Sequence, residues 1–193
     1  MPEVLRHVPN ALSLARLLAA PVLVVLALVH DERAFAVLLI AALATDVLDG
    51  WLARRLRLQS EIGAALDSAG DLTTLVAAAI GIACFHPDVW RGHRVAIGLV
   101  LGGWALVCAL ALLRYRRLSS FHTYASKAAG YALGFFIAAL FASGFVPWLF
   151  FLAVALSLAS TAEELLLLWR LPRWRADVRG LWWVSRRAGS DLQ

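Results

Sequence analysis

The chain has 193 residues, 62% of them hydrophobic, and a mean hydropathy of +0.76. That balance excludes a water-soluble globule of this size and points to an integral membrane protein. The net charge of +5 invites nucleic acid as a partner, but every basic residue except Lys127 is an arginine, and the arginines gather at the ends of apolar runs as juxtamembrane anchors do, so no nucleic acid is expected.

In chain order, "PEVLRHVPN" (2–10) reads as a short interfacial helix ending at Pro9–Asn10. It is polar and leads into a full-length span, unlike a cleavable signal peptide. Membrane spans are expected at about 11–30, 34–54, 63–85, 95–113, 127–143 and 147–169. The uncharged run 128–162 holds two spans folded at "SGFVPW", where Gly144 and Pro147 favour a turn. Helices are expected because backbone groups in lipid must be satisfied within their own segment. The tail 170–193 interleaves Trp174, Trp182 and Trp183 with arginines, which suits an interfacial anchor. Cys84 and Cys108 lie in or at the ends of spans and imply no disulfide. The expected architecture is all-α: one domain over 1–193, a bundle of six transmembrane helices with short interfacial helices at the N- and C-terminus.

Sidedness follows from the connections. "RRLRLQSE", "RYRRLSSFHTYASK" and the tail are rich in arginine, "HDER" and "SGFVPW" are nearly neutral, and "HPDVWRGHR" (86–94) is a mildly basic loop. The positive-inside rule makes the first group cytoplasmic, together with both termini.

The stretch 45–72, "TDVLDGWLARRLRLQSEIGAALDSAGDL", interrupts this greasy pattern with four of the chain's 13 acidic residues as aspartates. On helices, Asp46 and Asp49 share a face at a spacing of three, and Asp67 and Asp71 at a spacing of four. Small residues flank them: Gly50 and Ala53 on one helix, Gly63 on the next. The short basic turn makes the two helices antiparallel neighbours, so the four carboxylates converge near the cytoplasmic end. A single charged Asp at a span centre costs about 2.5–3.5 kcal/mol. Four together need cations, and hard divalent ions such as Mg²⁺ favour carboxylate oxygens and phosphates. The alternative partners, Arg54, Arg55 and Arg57, sit at one helix end and are too few for four acids spread over two helices.

The order D-x2-D-G-x2-A-R-x8-G-x3-D-x3-D is complete here as Asp46, Asp49, Gly50, Ala53, Arg54, Gly63, Asp67 and Asp71. It resembles the signature of the CDP-alcohol phosphotransferases, integral membrane enzymes of phospholipid synthesis, and "PNALSLARLLAAP" is similar to the start of that family's first span. The resemblance implies two divalent cations, Mg²⁺ (or Mn²⁺), held by Asp46, Asp49, Asp67 and Asp71 against the diphosphate of a CDP-alcohol. It implies a nucleotide pocket at Gly50, Ala53 and Gly63 with Arg54 near phosphate, and Asp71 as general base on the acceptor hydroxyl. The implied reaction moves a phosphatidyl group from CDP-diacylglycerol to a small polar alcohol, free or phosphorylated, and releases CMP. A homodimer among membrane lipids is also implied, with a bacterial inner (plasma) membrane expected as the location and the active site cytoplasmic.

Lys127 and Arg114 are candidate ligands for phosphate on acceptor or donor, with membrane anchoring as the alternative. Arg116 and Arg117 read as anchors, and His122 as an interfacial hydrogen-bonding residue. Arg16 follows Asn10 and Ser13 at intervals of three; snorkelling to headgroups is the reading preferred over contact with donor phosphates. Glu163 and Glu164 are assigned no chemistry. Family members that make phosphatidylglycerophosphate typically place proline and lysine where this chain has Ser68 and Leu72, and "LDSAGDL" looks closer to the serine- and inositol-type members. The rival functions are a member using another CDP-alcohol donor, a prenyltransferase-like diphosphate enzyme, and an ion carrier using the acids as a relay.

Overall fold

The computed structural model describes residues 4–56, 61–115 and 123–170, with side chains described at 11–48, 66, 69–115 and 123–170. Every described element is a helix: α1 (Val4–Leu28), α2 (Glu32–Leu56), α3 (Glu61–Phe85), α4 (Pro87–Tyr115), α5 (Tyr124–Ser143) and α6 (Pro147–Arg170). Four carry a stretch long and apolar enough to cross a bilayer, namely 11–28 of α1 and the whole of α4, α5 and α6. α3 adds a shorter apolar segment, 69–85. These four are the long stretches among the described side chains, which leave out the end of α2 and most of the start of α3. The chain divides into two compact units, Met1–Arg94 and Val95–Gln193.

In the first unit, α1 buries Ser13, Arg16, Ala20, Leu23 and Ala27, a stripe stepping by three and four residues as a helix-packing seam does. α2 buries Phe35, Leu39 and Ala42 on a similar stripe, and the next step reaches Asp46. α3 buries Gly70, Thr74, Ala77, Ala78 and Ile82. Each stripe is apolar toward one end and polar toward the other. α1 packs along both α2 and α3, whereas α2 and α3 touch each other only lightly. Their close approach is at Gly81, where an added Cβ would stand 2.2 Å from Cζ of the fully buried Phe35. Small residues let membrane helices approach this way.

Two expectations are corrected here. α1 runs unbroken through Pro9–Asn10, so 4–10 are its first turns rather than a separate interfacial helix. One proline deletes one backbone bond, and the long apolar segment that follows keeps the helix going. Likewise, 87–94 is not a loop but the start of α4. Pro87 sits at the first helical position, where its missing N–H costs nothing, and Asp88 in the first turn complements the helix dipole. The polar start and apolar body meet at His93, whose backbone (φ −126°, ψ 15°) leaves the helical region. The expected C-terminal interfacial helix lies outside the described residues.

The links are short. Between α1 and α2 the chain turns at His30 (φ 60°), and Asp31 caps α2 by accepting the Ala34 N–H at 3.0 Å. In the second unit, α5 folds back onto α6 through Gly144 (φ 97°), Phe145 and Val146. Phe136, Phe145 and Phe150 stack at this end with ring centroids 5.2–6.2 Å apart. On α4, Val107 and Ala111 cluster with Leu167 and Leu168 of α6, and Gly103 admits Thr161, whose Cγ2 stands 3.0 Å from where a Cβ would be. Large apolar side chains such as Leu18, Val37, Leu113, Phe135 and Trp169 point outward, as a lipid solvent requires.

Candidate active site

The polar ends of the three stripes in the first unit meet. Asp46 of α2 and Asp71 of α3 each direct an Oδ1 at the same atom, Nη1 of Arg16 on α1. The Asp71 contact is 2.6 Å, and Asp46 makes the second ion pair. The arginine side chain is 1% exposed, whereas the two carboxylates are 41% and 44% exposed. Arg16 therefore reaches the acids from the buried side, while their side chains are partly open.

The local sequence explains this placement. Arg16 occupies the α1 stripe between Ser13 and Ala20, where helical spacing turns it inward. Gly70, one residue before Asp71, lies alongside it: a Cβ there would stand at ordinary contact distance, 3.7 Å from Arg16 Cδ and 3.6 Å from the Ser13 carbonyl. The side chain thus passes α3 at Gly70 and ends between the two acids. Snorkelling, the reading preferred from sequence, is overturned, because the guanidinium is buried and paired. The spacing 13-16-20-23-27 was the available signal, since a core-facing stripe predicts an inward arginine.

Asp46 of α2 and Asp71 of α3, the two motif acids whose side chains are described, meet at Arg16 of α1. Asp49 lies one turn beyond Asp46 in α2, and Asp67 one turn before Asp71 in α3. Gly50, Ala53 and Arg54 lie further along α2, and Gly63 in the first turn of α3. The side chains at these six positions are outside the described residues, as are Arg116, Arg117 and His122.

Asp46 and Asp71 nonetheless fit a divalent cation. Carboxylate oxygens from two helices already converge on one positively charged point, and hard oxygen donors are the set that Mg²⁺ or Mn²⁺ takes.

Arg114 and Lys127 belong to the second unit. Arg114, in the last turn of α4, stands 5.7 Å over the Tyr115 ring. Lys127, in the first turn of α5, stands 5.9 Å from the Tyr124 ring centre. That turn is fixed by the fully buried Thr123, whose Oγ1 accepts the Ser126 N–H at 3.1 Å. Glu164, which the sequence left without a role, is buried on α6 and accepts a hydrogen bond from the Ser160 side chain one turn earlier.

The chain was compared with known proteins. It is 42% identical over 84 residues to CDP-diacylglycerol–glycerol-3-phosphate 3-phosphatidyltransferase 2 of Arabidopsis thaliana, covering 42% of this chain and 36% of that protein. Over 107 residues it is 30% identical to CDP-diacylglycerol–glycerol-3-phosphate 3-phosphatidyltransferase of Pseudomonas fluorescens, covering 54% of each. Over 116 residues it is 32% identical to the cardiolipin synthase (CMP-forming)/mitochondrial hydrolase fusion protein of Schizosaccharomyces pombe, covering 60% of this chain and 19% of that protein. The chain thus spans at most about half the length of these curated relatives. No solved structure matches it significantly. The model of the family CDP-alcohol phosphatidyltransferase matches residues 6–161, which include the whole acidic motif and Arg16. The chain belongs to the CDP-alcohol phosphatidyltransferase family.

Proposed function

We propose that this protein transfers a phosphatidyl group from CDP-diacylglycerol to a small polar alcohol and releases CMP, with glycerol 3-phosphate as the first acceptor to consider. The observation that carries the reading is the convergence of Asp46 and Asp71 from two helices on one cationic point, within a chain of this family. The acceptor rests on the relatives' names. Matches of 84 and 107 residues to enzymes named for glycerol 3-phosphate outweigh the seven-residue likeness of "LDSAGDL" to serine- and inositol-type members.

In this reading Asp46, Asp49, Asp67 and Asp71 hold two divalent cations, Mg²⁺ or Mn²⁺. When bound, these neutralise charge on the donor diphosphate and on departing CMP. Gly50, Ala53 and Gly63 leave space for the cytidine, and Arg54 reaches phosphate. Asp71 takes the proton of the acceptor hydroxyl as that oxygen attacks the phosphatidyl phosphorus and the bond to CMP breaks. Lys127 and Arg114 bind phosphate on the acceptor or donor. All six helices cross the membrane, α2 and α3 being tolerated there because their charged ends are paired and face the site. Both termini and the site are cytoplasmic, in a bacterial plasma membrane. The chain works as one domain and as a homodimer; the family match running through both compact units supports the first of these.

The test is an assay of purified protein with labelled CDP-diacylglycerol and Mg²⁺, offering glycerol 3-phosphate, inositol phosphate, inositol and serine separately. CMP release with glycerol 3-phosphate is expected. Release with none of them refutes the reading. Pyrophosphate release from an isoprenoid diphosphate points to the prenyltransferase-like alternative, and ion flux in proteoliposomes without CMP points to a carrier.

A further inference from the structure

The one charged side chain described as fully buried at the site is Arg16, and the motif does not contain it. A buried arginine bridging two acids has three possible consequences for a cation on those acids, and they differ in sign. As an ordinary structural ion pair it steadies the fold and leaves cation affinity alone. As a competitor it occupies the oxygens a cation needs, so its removal tightens cation binding. As a rear support it fixes the carboxylates for a cation on their exposed side, so its removal weakens binding although a repelling positive charge is gone.

The geometry selects the third. Arg16 is 1% exposed while both carboxylates are more than two-fifths exposed, so it approaches them from the protein side. Its described contacts run to Oδ1 of each acid, and an ionised carboxylate can accept from more than one donor at a time. Its stem passes α3 at Gly70, with the Ser13 carbonyl alongside. One nitrogen, Nη1, also serves both acids, so this side chain ties Asp46 of α2 to Asp71 of α3. We propose that Arg16 is a positioning residue of the cation site: a guanidinium buried behind Asp46 and Asp71 that fixes the spacing and orientation of both carboxylates. Groups that orient metal ligands from behind contribute about 10- to 100-fold to metal affinity.

This inference rests on reading the acids as cation ligands, and the experiment separates the two. Mn²⁺ binding to the purified full chain in nanodiscs is measured by electron paramagnetic resonance, without substrate. If the wild-type protein binds no Mn²⁺, the ligand reading fails and this inference with it. If it binds, Arg16→Met is compared at equal folded fraction, checked by circular dichroism and size exclusion. The expected result is Mn²⁺ binding weaker by about 10-fold or more. Unchanged affinity with lower thermal stability would make Arg16 merely structural, and tighter binding would make it a competitor; either outcome overturns the proposal. Should Arg16→Met not fold, Arg16→Lys decides. It keeps the charge but lacks the planar fork, and weaker Mn²⁺ binding is expected, with wild-type affinity again overturning the proposal.

Discussion

Replacing Gly81 by alanine adds one methyl group where α3 meets α2. The new Cβ would lie 2.2 Å from Cζ, 2.5 Å from Cε1 and 3.0 Å from Cε2 of Phe35. Carbon atoms prefer about 3.5–4.0 Å, so the ring must retreat by roughly 1 Å or more, or the helices must part. The ring has no free space, being fully buried and stacked on Phe85 at 5.3 Å. Overpacking of this kind costs about 1–3 kcal/mol. Alanine returns at most about 1 kcal/mol through helix propensity. A net loss of about 1–2 kcal/mol remains, or about 2–8 °C in Tm for a chain of this size. Thermal unfolding in detergent measures it, and a double-mutant cycle identifies its source. In a Phe35→Leu background, whose smaller side chain makes room, Gly81→Ala should cost less than about 0.5 kcal/mol. An equal loss in both backgrounds would show that the ring contact is not the cause. Parting of α2 from α3 would also spread the acids those helices carry, so turnover should fall with stability in Gly81→Ala and recover in the double variant.

Asp71→Asn should lower turnover by orders of magnitude more than it weakens donor binding, while Asp49→Asn should weaken cation and donor binding together; equal, mild effects in kinetic and binding assays would contradict the assigned roles. Thr123→Ala removes the N-cap of α5 and should cost about 1 kcal/mol by thermal unfolding, with Thr123→Ser close to wild type. Lys127→Ala should raise KM for glycerol 3-phosphate more than tenfold with kcat little changed, and the same kinetics after Arg114→Ala will show whether that arginine shares the phosphate; no change in KM for either would leave both as anchors.

The family signature was legible without coordinates because it is local: eight residues at fixed spacing within 26 positions. Helix content was legible too, since apolar runs of about 20 residues have no other stable form in lipid. Helix starts were less so. Pro9 and the polar segment 86–94 looked like boundaries, yet α1 runs through the first and α4 begins in the second. A single proline or a few charges near a helix end cost less than leaving adjacent backbone groups unpaired.

What remained for the tertiary structure was the partner of the acids. From sequence, divalent cations were the expected partners, with Arg54, Arg55 and Arg57 as the alternative; the arginine found between Asp46 and Asp71 comes from 30 residues before the first and 55 before the second. Spacing along one helix says which residues share a face, but not which face of another helix lies opposite. That is set by where small residues let helices approach, as Gly81 does beside Phe35. The residues alone determined the chemistry available, a cluster of carboxylates in an apolar chain; packing three helices together decided that a buried arginine stands behind two of them.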